Sequence, residues 1–290
     1  MFFQYLINGL SIGSVYALLA IGYNMVYGIL ELLNFAHGDV YAVGCFVTFT
    51  LIVMKQNIFL AIICGMLVGY IMNIIVERFA YRAVRFSGRV TPTISAVGIA
   101  YIMRNLILKI WGPETYPFNV GTRGTQVEFG NFVFGTLQIY IFIVAISFML
   151  LISFMLKRTK LGQSIVAISQ SIPTSALMGI PVNRTISMVY GIGGALGVIG
   201  GILFCIYYES IFVGIGFMLG TMKAWMSSIL GGIGSLKGAV MGALVLGLLE
   251  SFIGGYISTS YRDAFVWGCL MIFILIKPKG LFPAQISEKV

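Results

Sequence analysis

Charge is what this chain has least of. Of 290 residues only 9% are Asp, Glu, Lys or Arg, against about a quarter in a soluble domain. With 59% hydrophobic residues and a mean hydropathy of +1.00, a water-soluble globule is excluded. Histidine occurs once; zinc takes three or four ligands, so a histidine-built metal site is excluded and no cofactor is expected. The four cysteines, Cys45, Cys64, Cys205 and Cys269, stand far apart in apolar stretches without CxxC spacing. That excludes a disulfide framework and leaves them as small packing residues. There is no G-x-x-x-x-G-K-[ST] phosphate loop, and Ser235–Leu236–Lys237–Gly238 carries its Lys and Gly in the wrong order. HExxH, a dinucleotide fingerprint and a nucleophile–base pair are likewise missing, so nothing supports an enzyme. Any ATP consumed on its behalf must be hydrolysed by another subunit. The N-terminus lacks a basic n-region and a small-residue cleavage site, so no cleaved signal peptide is expected.

What is present is a succession of long apolar runs. They fall at about Phe2–Leu30, Val40–Met54, Ile58–Val76, Val90–Ile110, Leu137–Leu156, Ile186–Tyr208, Met222–Ile233, Ala239–Tyr256 and Ala264–Ile276. A bilayer crossing needs about 20 such residues. The expected fold is therefore all-α, a polytopic transmembrane bundle of eight to ten spans or half-spans. It forms a single membrane domain over residues 1–290, with lipid around it. The seventh run is too short to cross alone and reads as re-entrant.

The net charge of +9 points to topology and not to nucleic acid, because basic residues gather in cytoplasmic loops. Arg78, Arg82, Arg85 and Arg89 follow the third run. Lys157, Arg158, Lys160 and Arg184 follow the fifth, and Lys277, Lys279 and Lys289 lie in the tail. The stretch from Trp111 to Thr136 has one basic residue, Arg123, beside Glu114 and Glu128. The rich segments and the C-terminus are placed in the cytoplasm, the poor one outside as a short amphipathic excursion, and the N-terminus outside.

A polar knot, Glu31–Leu32–Leu33–Asn34–Phe35–Ala36–His37–Gly38–Asp39, interrupts the first apolar stretch. Ionisable groups at membrane depth cost a few kcal/mol and mark cavities or partners, as on substrate routes. In the second half, Leu230–Gly231–Gly232–Ile233–Gly234–Ser235–Leu236–Lys237–Gly238 breaks the chain at a comparable place. Paired interruptions suggest inverted repeats, about 1–136 and 137–290, built with discontinuous helices around a pathway. Asn34, His37, Asp39, Gly231, Gly232 and Glu250 are the candidate pathway or gate residues. The plainer alternatives are that His37 satisfies backbone carbonyls at a helix break and that Glu250 belongs to a structural ion pair. Lys237 lies thirteen residues before Glu250, nearly 20 Å along a helix at about 1.5 Å per residue, so Arg104 and Lys223 are the candidate partners. The spacings Gly9-x-x-x-Gly13, Gly193-x-x-x-Gly197-x-x-x-Gly201 and Gly238-x-x-x-Gly242 allow close helix packing. Within the long connection 157–186, Ser164–Ala167 and Pro173–Met178 are predicted as short helices suited to receive a partner.

Several ordered motifs carry a resemblance. Gly13–Ser–Val–Tyr–Ala–Leu–Leu–Ala–Ile–Gly–Tyr–Asn–Met–Val–Tyr–Gly28 is followed by Asn34–Phe–Ala–His–Gly38, Tyr81–Arg–Ala–Val–Arg85 and Ile94–Ser–Ala–Val–Gly98. Gly216–Phe–Met–Leu–Gly–Thr–Met–Lys–Ala224, Leu230–Gly–Gly–Ile–Gly–Ser235 and Pro278–Lys–Gly–Leu281 continue the series to the tail. Together they resemble the branched-chain amino acid ABC-importer permeases of the LivH type. The resemblance implies an inner-membrane importer of hydrophobic amino acids working by alternating access. It also implies a paralogous or identical partner permease, two cytoplasmic ATPases and a periplasmic or lipid-anchored binding protein. By position it makes Ser175, Ala176, Gly179, Ile180 and Arg184 the ATPase-coupling segment. The chain departs from the pattern at Gln163, Val166, Gln170 and Ser171, where family members commonly carry charges, and at Asp39, where Glu is commoner. Two alternatives stand beside this reading: the same architecture carrying urea, short amides or other amino acids, and a stand-alone ion-coupled transporter using Asp39, Glu250 or Glu209.

The topology is testable by impermeant thiol labelling in a background lacking the native cysteines. Thr125→Cys is expected to label from outside and Arg85→Cys only after permeabilisation; the reverse pattern would invert the assignment.

Overall fold

The computed structural model describes residues 2–88, 90–119, 126–129, 132–278 and 280–282. Helices dominate it: α1 (Phe2–Leu30), α2 (His37–Val53), α3 (Ile58–Val76), α4 (Val90–Trp111), α5 (Thr136–Arg158), α6 (Lys160–Gln170), α7 (Ile172–Leu177), α8 (Val182–Tyr208), α9 (Ala224–Gly231), α10 (Leu236–Tyr256) and α11 (Arg262–Ile276). A π-helical turn, Glu77–Tyr81, extends α3, and another, Gly216–Lys223, leads into α9. Six helices among the described residues are long and apolar enough to cross a membrane: α1, α3 with its extension, α4, α5 from Gln138, α8 and α10.

The described residues of the segment expected as an amphipathic excursion include short strands. β1 (Tyr116–Pro117) pairs antiparallel with β4 (Ser210–Ile211), and β2 (Gln126–Phe129) pairs with β3 (Phe132–Gly135). The expected short helices in 157–186 are present as α6, longer than expected, and α7, of the expected length and one residue earlier. Thr159 caps α6 by accepting from the Gly162 N–H, and Ser171 caps α7 by accepting from the Thr174 N–H.

The centre of the bundle is α1 against α8. Their most apolar windows are 72% and 83% buried, whereas those of α3, α4 and α5 are 22% or less. Water cannot drive helices together inside a bilayer, so close packing of small residues must. A Cβ on Gly9 would lie 2.9 Å from the Leu248 Cα, and one on Gly247 would lie 2.5 Å from the Gly13 Cα, which holds α10 antiparallel along α1. Gly69 and Gly194 hold α3 along α8 in the same way, and Gly22 meets Gly193 where α1 crosses α8. The predicted packing role of these glycine spacings thus has concrete partners.

Each central helix ends alike. Glu31 follows α1 with φ 53° and Glu209 follows α8 with φ 50°. Seven residues beyond each stands a glycine, Gly38 or Gly216, and a Cβ on Gly38 would sit 2.0 Å from the Gly216 carbonyl oxygen. Only hydrogen fits there, so the two broken segments, α2 and Gly216–Gly231, begin back to back in the interior.

This contact sets a prediction. Gly38→Val and Gly216→Val are expected to lower the melting temperature of the purified protein by several degrees or prevent its recovery. Gly98→Ala and Gly268→Ala, where an added Cβ meets nothing within 4 Å, are expected to change it little. Equal behaviour of the two pairs in a thermal scan would remove the contact from the list of constraints.

Candidate functional site

The residues of the first break turn the chain back into the bundle. Asn34 is buried, and its Oδ1 accepts from the Ala36 N–H at 3.2 Å and from the Tyr81 hydroxyl at 3.2 Å. Tyr81 also donates to the Leu33 carbonyl at 3.1 Å, so α3's extension clasps the break. The His37 ring is fully buried between Tyr23 and Tyr41, with centroids 6.1 and 6.5 Å away. Neither ring nitrogen has a hydrogen-bond partner among the described residues, so His37 does not serve the backbone carbonyls of the break. No group of three metal-binding side chains occurs among the described residues.

Asp39, in the first turn of α2, is wholly buried and accepts two hydrogen bonds from Arg104 of α4, Nε at 3.2 Å and Nη2 at 3.0 Å. A carboxylate there also answers the positive end of the helix. The Arg104 guanidinium lies 4.9 Å from the Phe217 ring centroid and 5.5 Å from that of Tyr101.

Glu250 takes the other candidate, Lys223. Lys223 Nζ donates to Glu250 and, at 2.9 Å, to Asp263, while the Tyr16 hydroxyl donates to Glu250 Oε2 at 2.8 Å. Glu250 and Lys223 are both buried, and removing one member of such a pair typically costs about 3–5 kcal/mol. Each broken segment is therefore tied by an ion pair to a later helix: α2 to α4, and the Gly216–Gly231 segment to α10 and α11.

Gly231 and Gly232 lie elsewhere, at the turn between α9 and α10. A Cβ on Gly231 would be 1.8 Å from the Gly238 carbonyl oxygen, and Gly232 has φ 111°. Asn24 of α1 braces the turn, donating to Ser228 at 2.7 Å and accepting from the Gly234 N–H at 2.8 Å. The tail closes over it, with the Leu281 and Phe282 N–H groups donating to the Leu230 and Gly231 carbonyls at 2.9 and 2.8 Å. The six candidate pathway residues are thus all buried. They fall into three places, not one: the α1–α2 break, the Lys223 cluster and the α9–α10 turn.

At the end of the bundle carrying most of the loop arginines, Arg82 pairs with Glu77 at 2.8 Å and Ser187 at 2.7 Å, and Arg85 donates to Asn183 at 2.7 Å. Here α6 and α7 project. Ser175 is buried, and Ile180 is half-buried with its N–H bonded to the Ser175 carbonyl, while Ala176 and Arg184 are exposed. Gly179 has φ 79°, which suits glycine. The most prominent side chains were not singled out from the sequence: Leu177 is 88% and Met178 78% exposed. No local signal marks them, because Ala176, Ile180 and Val182 around them are apolar too.

The chain is similar to known proteins along nearly its whole length. Residues 5–275 match the family model described as branched-chain amino acid transport system / permease component. The high-affinity branched-chain amino acid transport system permease protein BraD of Pseudomonas aeruginosa is 35% identical, over 100% of this chain and 98% of its own length. LivH of Escherichia coli K12, named as the same kind of permease, is also 35% identical with the same coverage. A probable LivH of Methanocaldococcus jannaschii is 28% identical over 91% of this chain and 87% of its own. Among solved structures, PsaBC from Streptococcus pneumoniae in complex with Fab covers 95% of this chain at 15% identity and a TM-score of 0.47, too low a likeness to argue from. With full-length identity above 30% and a family model spanning nearly all of it, this chain belongs to the branched-chain amino acid transport system permease family.

Proposed function

We propose that the chain is the membrane subunit that carries branched-chain amino acids into the cytoplasm by alternating access, driven by separate ATPases. The observation that carries this is the full-length kinship with BraD and LivH, whose names state that transport. A companion permease, paralogous or identical, two ATPases and an external binding protein complete the importer. The interior is consistent with this reading. Asp39 and Glu250 already face cations, which disfavours a stand-alone ion-coupled transporter that would need a carboxylate free to exchange its ion. The same fold carrying urea or short amides is separated by offering those solutes in the uptake assay.

The reading of eight to ten spans or half-spans fits six full crossings, the half-crossings α2 and α9, and the shorter α11. The arginine-rich end faces the cytoplasm with the tail, and the N-terminus lies outside. Inverted repeats are supported by a constant offset of 178 positions relating Glu31 to Glu209, Gly38 to Gly216, and the first residues of α3 and α10, Ile58 and Leu236. On this reading α1–α4 match α8–α11, and α5–α7 stand between them. Asn34, His37 and Asp39 in one half, and Gly231, Gly232 and Glu250 in the other, sit where the two halves move. Ser175, Ala176, Gly179, Ile180 and Arg184 form the segment through which the ATPase acts, with Leu177 and Met178 as its apolar knob.

Two measurements test this. Reconstituted with its companion subunits and binding protein, the protein is expected to import labelled leucine, isoleucine or valine in an ATP-dependent manner; absence of any such uptake would overturn the function. Leu177→Asp with Met178→Asp, and separately Gly179→Val, are expected to lose ATPase co-purification and at least tenfold of uptake while remaining inserted. Normal uptake by both variants would show that coupling runs elsewhere.

A further inference from the structure

Arg104 sits where a spanning helix would ordinarily face hydrocarbon. It is fourteen residues into α4 and seven from its end, about 10 Å from the terminus at 1.5 Å per residue. Its side chain is nevertheless one-quarter exposed. Asn105, beside it on the same helix, is exposed as well. Polar groups at that depth are rare on lipid-facing surfaces and mark a water-filled route.

The guanidinium has donors to spare. Arginine carries five N–H groups in a planar fork. Asp39 engages Nε and Nη2, and Nη1 has no acceptor among the described residues. Exposed rings flank it, Tyr101 at 59% and Phe217 at 40%, and Met218, the residue after Phe217, is 54% exposed. Asp39 cancels the charge of Arg104, so a simple anion gains little by approaching. A zwitterion adds no net charge; its carboxylate can take the free fork while its aliphatic side chain lies on Phe217 and Met218.

We infer that Arg104, positioned by Asp39 and flanked by Tyr101 and Phe217, with Met218 next in the chain, is a docking point on the transport route for the carboxylate of an apolar amino acid. This rests on the proposed function. It places the substrate against the junction of the two broken segments, because Asp39 and Phe217 are the residues immediately after Gly38 and Gly216.

The test uses the assembled importer. Arg104→Gln is expected to lower leucine uptake at least tenfold, and the double variant Arg104→Gln/Asp39→Asn is expected to stay equally low. An ion pair that merely held α4 to α2 would be relieved by neutralising both members, so restored uptake in the double variant overturns the inference. Independently, in a chain with its native cysteines replaced, Met218→Cys is expected to react with a charged, impermeant methanethiosulfonate. Leucine should slow that reaction and leucinamide, which lacks the carboxylate, should not. An inert or unprotected Met218→Cys overturns the inference even if the Arg104 variants fail to insert. Wild-type protein that imports no branched-chain amino acid overturns the proposed function and this inference together; wild-type uptake with a restored double variant overturns this inference alone.

Discussion

The structure turns on one backbone contact: Gly38 against Gly216, where a single added carbon would lie 2.0 Å from a carbonyl oxygen. Broken helices leave backbone groups without their usual partners, a cost that hydrocarbon makes severe. Starting both broken segments against each other, inside a jacket of α1 and α8, keeps those ends away from lipid. Everything nearby follows from that placement. The chain must return after each central helix, which is why each ends in a left-handed residue. Asn34 and Tyr81 then hold the first return shut.

The ion pairs answer a different need. A short segment beginning in mid-bundle has little length with which to anchor itself, and apolar packing against lipid-like neighbours is weakly directional. Asp39 with Arg104, and Lys223 with Glu250 and Asp263, supply direction. Their polarity is opposite in the two broken segments, so the segments cannot exchange partners without leaving two like charges together. Each pair closes within its own stretch of chain, α2 onto α4 and Gly216–Gly231 onto α10 and α11, so each broken segment is fixed to helices that follow it in the chain.

Much of this was readable from residues alone. Long apolar runs located the spanning helices to within a few positions, since a bilayer admits only helices and closed barrels and a barrel strand would alternate in polarity. The polar knot at 31–39 correctly marked a helix break, and Lys223 was among the two partners reachable by Glu250. Distance along the chain hid the rest. Nothing local says that Arg104 belongs to Asp39, sixty-five positions earlier, or that His37 stands unbonded. The strands β1 and β4 join segments nearly a hundred residues apart, beyond any pattern within either. Leu177 and Met178 looked like ordinary helix residues; only the fold shows that the helix bearing them touches so little.

The tail adds an order of events. The carbonyls of Leu230 and Gly231 close a helix whose last turn has no continuation, and they are met by N–H groups some fifty residues downstream, at Leu281 and Phe282. A ribosome that has delivered every spanning helix has still not delivered those donors. The α9–α10 turn therefore gains its last two hydrogen bonds only after α11 has been made.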